Sequence, residues 1–321
     1  MNRPLHDDEL SIDLDLVRAL LDRDLPQYAA LPLTPLGASG STNLLFRLGD
    51  ELLVRMPRQP GNGDSITKER RWSPLMASQL PVTVPQIVAV GDPGFGYPER
   101  WSVVGWIDGV HPASVDPAHP AGDPARPGGD PALGASPIAL AEDLADVVAA
   151  LRSLEVPQQA RADDSLRWYR GRPLVEFDAD TRRNIDLCRS IDGLDLDLDA
   201  ALALWEEALT LPGAAELGPD RWYHGDLVAE NLLLRDGRLT AVLDFGSLSI
   251  GDPTIDLHGA WEVLDDPARE VFRQRLGIDQ PEWLRARAWA LGIALGAFSY
   301  YWDTMPGRRA DRLAMARNAL S

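Results

Sequence analysis

Cysteine and lysine are nearly missing from this chain of 321 residues. Cys188 is the only cysteine, which excludes an internal disulfide framework and any cysteine-rich zinc site. Lys68 is the only lysine, so arginine must do any work that lysine does elsewhere. There is no block of basic residues, and the formal net charge is −18. Nucleic acid and anionic membranes are therefore poor partners, whereas such a surface favours a cationic small molecule. No apolar stretch reaches the length of a membrane span, and the polar, acidic stretch Met1 to Leu10 does not read as a secretion signal. A cytoplasmic protein of one large or two moderate domains is expected. The sequence does not specify its oligomeric state.

The informative stretch is His224-Gly225-Asp226-Leu227-Val228-Ala229-Glu230-Asn231, followed after a short hairpin by Asp244-Phe245-Gly246. Phosphoryl transfer of the kinase type needs a carboxylate to orient the attacking hydroxyl and take its proton. It also needs a carboxamide and a second carboxylate to hold Mg²⁺ against a triphosphate. Asp226, Asn231 and Asp244 offer those groups at fitting spacings. Leu232 to Leu234 and Leu239 to Leu243 read as two strands joined by the turn signal Asp236-Gly237. Such a hairpin carries Asn231 at its entrance and Asp244 at its exit. Oxygen ligands of this kind suit Mg²⁺, which prefers carboxylate, carboxamide, phosphate and water.

Along the chain, Ser11 to Leu25 reads as an amphipathic helix. Leu44 to Leu48 and Glu51 to Met56 form a hairpin headed by the small-residue segment Gly37 to Asn43. Ile66 to Trp72 is helical, with Ser73-Pro74 capping a restarted helix that ends near Leu80. Val82 to Val90 and Trp101 to Trp106 read as strands. From Pro112 to Pro137 seven prolines among Ala, Gly and Asp predict a loop excursion. Helical patterns then dominate, at Ile138 to Leu154, Glu176 to Ser190, Asp197 to Leu209, Asp252 to Leu264, Pro267 to Leu276, Glu282 to Trp302 and Arg308 to Leu320.

On these residues the chain resembles the aminoglycoside phosphotransferase family, with macrolide phosphotransferases and other small-molecule kinases as relatives. The resemblance covers nearly the whole chain, and its specific part is His224 to Asp256. It implies an α+β, bilobal protein-kinase-like fold. Residues 1–106 would form a small antiparallel-sheet lobe that binds nucleotide, and 107–321 a larger, mainly helical lobe for catalysis and substrate. Asp226 looks like the catalytic base, and Asn231 and Asp244 like the Mg²⁺ ligands. His224 would brace the loop by hydrogen bonds, and Asp256 resembles a buried aspartate that anchors it.

In the first lobe, Gly37, Ser39, Gly40 and Ser41 lie where a kinase places its phosphate-covering loop, without the full protein-kinase glycine pattern. Arg55 stands where a kinase has its phosphate-contacting lysine, and an ion pair with Glu69 would hold it in place. The implied cofactors are ATP, with GTP as an alternative, and Mg²⁺. The implied partner is a small-molecule hydroxyl substrate, either an antibiotic such as an aminoglycoside or a housekeeping metabolite. Only eleven residues separate Asp244 from Asp256, which leaves no room for a protein-docking activation segment. A nucleotide-binding pseudoenzyme acting as a regulator is the remaining alternative.

Overall fold

The computed structural model describes residues 8–37, 40–117 and 136–321. Most of the expected proline-rich excursion lies outside the described residues, as does Ser39. The chain divides into two compact units. The first takes the described residues of Met1–Ser78, Thr83–Asp108 and Asp244–Gly246, and the second those of Gln79–Val82, Gly109–Leu243 and Ser247–Ser321.

The first unit opens with α1 (Leu14–Asp24), started by Asp13, whose carboxylate accepts the Leu16 N–H at 2.8 Å. Strands β1 (Leu33–Pro35), β2 (Asn43–Leu48) and β3 (Leu52–Pro57) precede α2 (Asp64–Gln79), and β4 (Ile87–Gly91) and β5 (Trp101–Gly105) follow it. They form one sheet in the order β1-β2-β3-β5-β4, with every neighbouring pair antiparallel. Phe46, Leu48, Val54, Met56 and Val103 bury themselves against Val17, Leu20 and Leu21 of α1.

Two expectations change here. The strand expected from Val82 begins only at Ile87, because Pro85 brings no N–H to a ladder. Ser73-Pro74 does not restart a helix, since α2 runs unbroken through Pro74. Pro74 has no N–H for the Arg70 carbonyl, yet burial of Ile66, Trp72 and Met76 holds the helix through the missing bond.

The second unit is mainly helical. In chain order it comprises α3 (Pro137–Ser153), α4 (Gln158–Arg161), α5 (Asp178–Cys188), α6 (Leu198–Leu209), β6 (Arg221–Tyr223), β7 (Leu232–Arg235), β8 (Arg238–Val242) and β9 (Ser249–Gly251). Helices α7 (Ala260–Val263), α8 (Asp266–Leu276), α9 (Gln280–Tyr301) and α10 (Pro306–Leu320) complete it. Helix α9 packs against α5, α6 and α10, and its buried Ala286, Ala288, Ala290 and Ala294 let those neighbours approach closely. Strands β7 and β8 form the expected hairpin, with Asp236 and Gly237 in the left-handed region at its two-residue turn.

A second pair, β6 with β9, joins Trp222 to Ile250 and was not anticipated, since three-residue strands leave too little pattern to read. The single helix expected over Asp252 to Leu264 is instead a 3₁₀ turn, Pro253–Leu257, followed by α7. Between them Gly259 lies against the Leu227 carbonyl, where a β-carbon would sit 1.7 Å from the oxygen. Among the described residues no helix is long and apolar enough to cross a membrane.

Pro74 is exposed, so Pro74→Ala restores one helix hydrogen bond without disturbing the core. The expected result in thermal or urea unfolding is a gain of about 1–3 kcal/mol, and a loss of stability would show that the ring is needed where it stands.

Candidate active site

In the second unit the site grows from β6, which delivers the chain to His224. The backbone then turns sharply, with Gly225 in the left-handed region at φ 83°. A β-carbon there would meet the Trp168 ring at 2.9 Å, so both the turn and the close packing require glycine. Asp256 closes the turn from the following 3₁₀ segment. Its Oδ2 accepts the His224 N–H at 2.8 Å and its Oδ1 accepts the Gly225 N–H at 2.6 Å. Burial pushes the Asp256 carboxyl above the ordinary range, against His224 and those two N–H donors. Asp252 holds the segment itself, accepting from the Thr254 N–H and hydroxyl.

His224 is fully buried. Its Nε2 donates to the Leu243 carbonyl at 2.9 Å, and its Nδ1 accepts the Asp226 N–H at 3.2 Å, which selects the Nε2–H tautomer. One ring thus ties the start of the loop to the end of β8. Asn231 donates from Nδ2 to the Asp226 carbonyl at 2.9 Å and to Asp226 Oδ2 at 3.0 Å. That places the amide hydrogens on Asp226 and leaves Oδ1 of Asn231 as the acceptor end.

Asp226 itself is part-buried. Desolvation opposes its charge, but the guanidinium groups of Arg170 and Arg312 overcome it and hold the carboxyl well below the usual carboxylate range. Arg170 forms a direct ion pair with Asp226 Oδ1 at 2.9 Å. This partner was not anticipated, because an arginine 56 positions upstream carries no periodic signal that ties it to the loop. Glu230, inside the loop, was also passed over. It accepts from Arg308 Nη2 at 2.7 and 2.6 Å and from Arg312 Nη2 at 3.3 Å, and Arg312 also reaches Glu262 at 2.8 Å. Helix α10 is thereby pinned to the loop. His258, fully buried, bonds from Nδ1 to the Ile255 carbonyl, while among the described residues its Nε2 has no hydrogen-bond partner. Burial holds this ring neutral, with its value pushed down to about 3, and the charge of Arg170 adds to the effect.

In the first unit, Arg55 on β3 and Glu69 on α2 are both buried and form a two-pronged ion pair, Nη1 to Oε1 at 3.1 Å and Nη2 to Oε2 at 2.5 Å. Arg55 Nε also donates to Ser102 Oγ at 3.2 Å, a contact from β5 that was not anticipated. Burial works against the guanidinium charge, and Glu69 and Asp244 outweigh it. Asp244 has φ 55°, strained for a non-glycine residue, and its Oδ1 accepts the Gly246 N–H at 3.3 Å. Among the described residues nothing lies within 4 Å of a β-carbon position at Gly37 or Gly40, and neither lies in the left-handed region. The Gly40 carbonyl accepts Arg58 Nε at 3.0 Å, which tethers this side of the loop, where Ser41 follows.

Two stability predictions follow from the bracing. Asp256→Asn turns one acceptor into a donor facing a backbone N–H, and should cost about 2–4 kcal/mol in denaturant unfolding. His258 has a folded value near 3 against an ordinary 6.5. Its contribution is therefore present above pH 6.5 and lost as the pH falls from there towards 3, at up to about 1.4 kcal/mol per pH unit. His258→Gln should flatten the decline in melting temperature across that window; an unchanged slope would place the titration elsewhere.

Comparisons with known proteins place the chain in a family. The model of the phosphotransferase enzyme family matches residues 33–289. No curated protein sequence matches the chain. Among solved structures, the GDP complex of aminoglycoside 2'-phosphotransferase-IIIa superposes with a TM-score of 0.67 at 17% identity, covering 96% of this chain and 100% of that one. The macrolide 2'-phosphotransferase MphH from Brachybacterium faecium gives 0.59 at 20% identity, covering 94% and 97%. A streptomycin–ATP ternary complex of APH(2'')-IIa gives 0.57 at 16%, covering 89% and 90%. At such identities the likeness speaks for the fold, an α+β architecture with a five-stranded antiparallel sheet and a mainly helical remainder. The match of the family model over most of the length carries the rest: the chain belongs to the phosphotransferase enzyme family.

Proposed function

We propose that this enzyme transfers the γ-phosphate of ATP, with GTP as an alternative donor, to a hydroxyl group of a small molecule. The observation that carries the reading is the Asp226 carboxylate, held ionised and gripped at one oxygen by Arg170 and at the other by Asn231. A carboxylate so well stabilised is a weak base. It suits a loose transition state, in which the acceptor proton leaves late and orientation of the hydroxyl matters more than early deprotonation. Asp226 therefore accepts the hydrogen bond of the attacking hydroxyl first and its proton last.

The donor chemistry of Asn231 and Asp244 supports Mg²⁺ as the ion. Among the described residues no group of three or more His, Cys, Asp or Glu forms a closed metal cage. Asn231 Oδ1 and the Asp244 carboxylate are two hard oxygens, which is the donor set of an ion that keeps its water and phosphate ligands. When bound, the ion neutralises charge on the transferring phosphate. Arg55 supplies phosphate contacts from the protein. Its guanidinium has five N–H groups, of which Glu69 and Ser102 take three, leaving two for phosphate oxygens.

For the acceptor, an aminoglycoside or related antibiotic is favoured. A net charge of −18 draws in polycations, and the fold neighbours include complexes with kanamycin and gentamicin. Enzyme action on such a compound would make the protein an antibiotic-resistance kinase.

Asp226→Ala should lower transfer about a thousandfold while leaving Mg·ATP affinity nearly unchanged. Turnover retained at the native rate would remove Asp226 from the chemistry. Asp244→Ala should weaken nucleotide binding only when Mg²⁺ is present, and equal binding with and without the ion would dismiss its role as ligand. Both are read by calorimetric titration alongside an assay of ATP consumption.

A further inference from the structure

Arg170 has no counterpart in the motif that identifies the site, yet it makes the most direct contact with Asp226 from outside the loop. We infer that Arg170 is a positioning residue for phosphoryl transfer, fixing the Asp226 carboxylate through the oxygen that Asn231 does not hold. The inference rests on the proposed role of Asp226. Arg170 Nη1 donates to the Gly225 carbonyl at 2.7 Å and to Asp226 Oδ1 at 2.9 Å, so a single nitrogen registers the side chain against its own backbone. Nε donates to the Tyr169 hydroxyl at 3.2 Å. The guanidinium lies over the Trp168 ring at 4.6 Å, which restricts the arginine to one plane.

The strap that presents Arg170 is itself seated with little tolerance. The Tyr223 hydroxyl donates to the Trp168 carbonyl at 3.0 Å, and the Asp252 N–H donates to the Gly171 carbonyl at 3.1 Å. At Gly171 a β-carbon would come within 2.5 Å of the Tyr223 ring. A surface ion pair between two mobile chains would show none of this support. The side chains of Arg170 and Asp226 are 16% and 27% exposed, which also separates the pair from a solvated one.

The consequence is geometric. The terminal torsion of an aspartate is a broad, two-fold rotor. Asn231 alone fixes one oxygen and leaves the other free to swing. With Arg170 in place both oxygens are fixed, and each keeps a lone pair to accept from an acceptor hydroxyl. Small errors in that placement are costly, since reacting groups must be held close to the attack geometry.

The test uses the full chain and phosphate release from Mg·ATP with water as acceptor. Arg170→Ala should lower kcat about 10- to 100-fold with KM for ATP unchanged. Millimolar guanidinium ion should restore part of the loss, where sodium at equal ionic strength does not. Arg170→Lys keeps the charge without the planar fork and should be intermediate. Arg170→Gln takes the same test if the alanine variant does not fold. A native kcat in the neutral variants, or a loss that guanidinium leaves untouched, overturns the inference. Asp226→Ala runs in parallel. If it too releases phosphate at the native rate, the reading of Asp226 has failed; if it is inactive beside a fully active Arg170→Ala, only the role of Arg170 is lost.

Discussion

The carboxylate of Asp256 is the contact on which the rest of the second unit's site depends. It accepts two consecutive backbone N–H groups, those of His224 and Gly225, at the point where the chain leaves β6 and reverses. A buried carboxylate is costly unless its lone pairs are taken up, and buried N–H groups are costly unless they find acceptors. Each side of the contact therefore fixes the other. Once the turn is set, the His224 ring can span from the Leu243 carbonyl to the Asp226 N–H, and Asp226 emerges in one orientation. Gly225 is obligatory at the bend, for its backbone angle and for the Trp168 ring packed against it.

Around that loop the chain makes repeated use of arginine. Arg170 holds Asp226, Arg308 and Arg312 hold Glu230, and Arg312 continues to Glu262, which is almost fully buried. Burial pushes the Glu262 carboxyl up, while Arg312 pulls the other way. In the first unit the same device recurs as the Arg55–Glu69 pair. A planar fork can bond two oxygens and still keep donors in reserve, which a lysine ammonium cannot match in geometry. The scarcity of lysine is thus compatible with the chemistry, because arginine serves at each of these carboxylates.

What was legible in the sequence was what lies close together along it. His224, Asp226 and Asn231 fall within one short stretch, and the hairpin of β7 and β8 is announced by alternating apolar runs around Asp236-Gly237. The Arg55–Glu69 pair was within reach because a strand followed by a helix limits the partners available. Arg170 was not, since nothing local distinguishes it from thirty other basic residues until the chain folds back. Strands β6 and β9 are too short to carry alternation, and Pro74 misled because burial of the helix face outweighs one missing bond. Propensity was overruled by packing in that case, and contour distance hid the ion pair in the other.

The reaction proposed for this enzyme moves a phosphoryl group from a nucleotide to a hydroxyl oxygen. It is tested most directly by phosphorus-31 NMR of reactions with Mg·ATP and a panel of aminoglycosides, macrolides and sugar alcohols. A new phosphate monoester resonance should grow as the γ-phosphate signal falls, with ADP in equal amount. Loss of the γ-signal to inorganic phosphate alone, or nucleotide binding with no turnover across the panel, would contradict it.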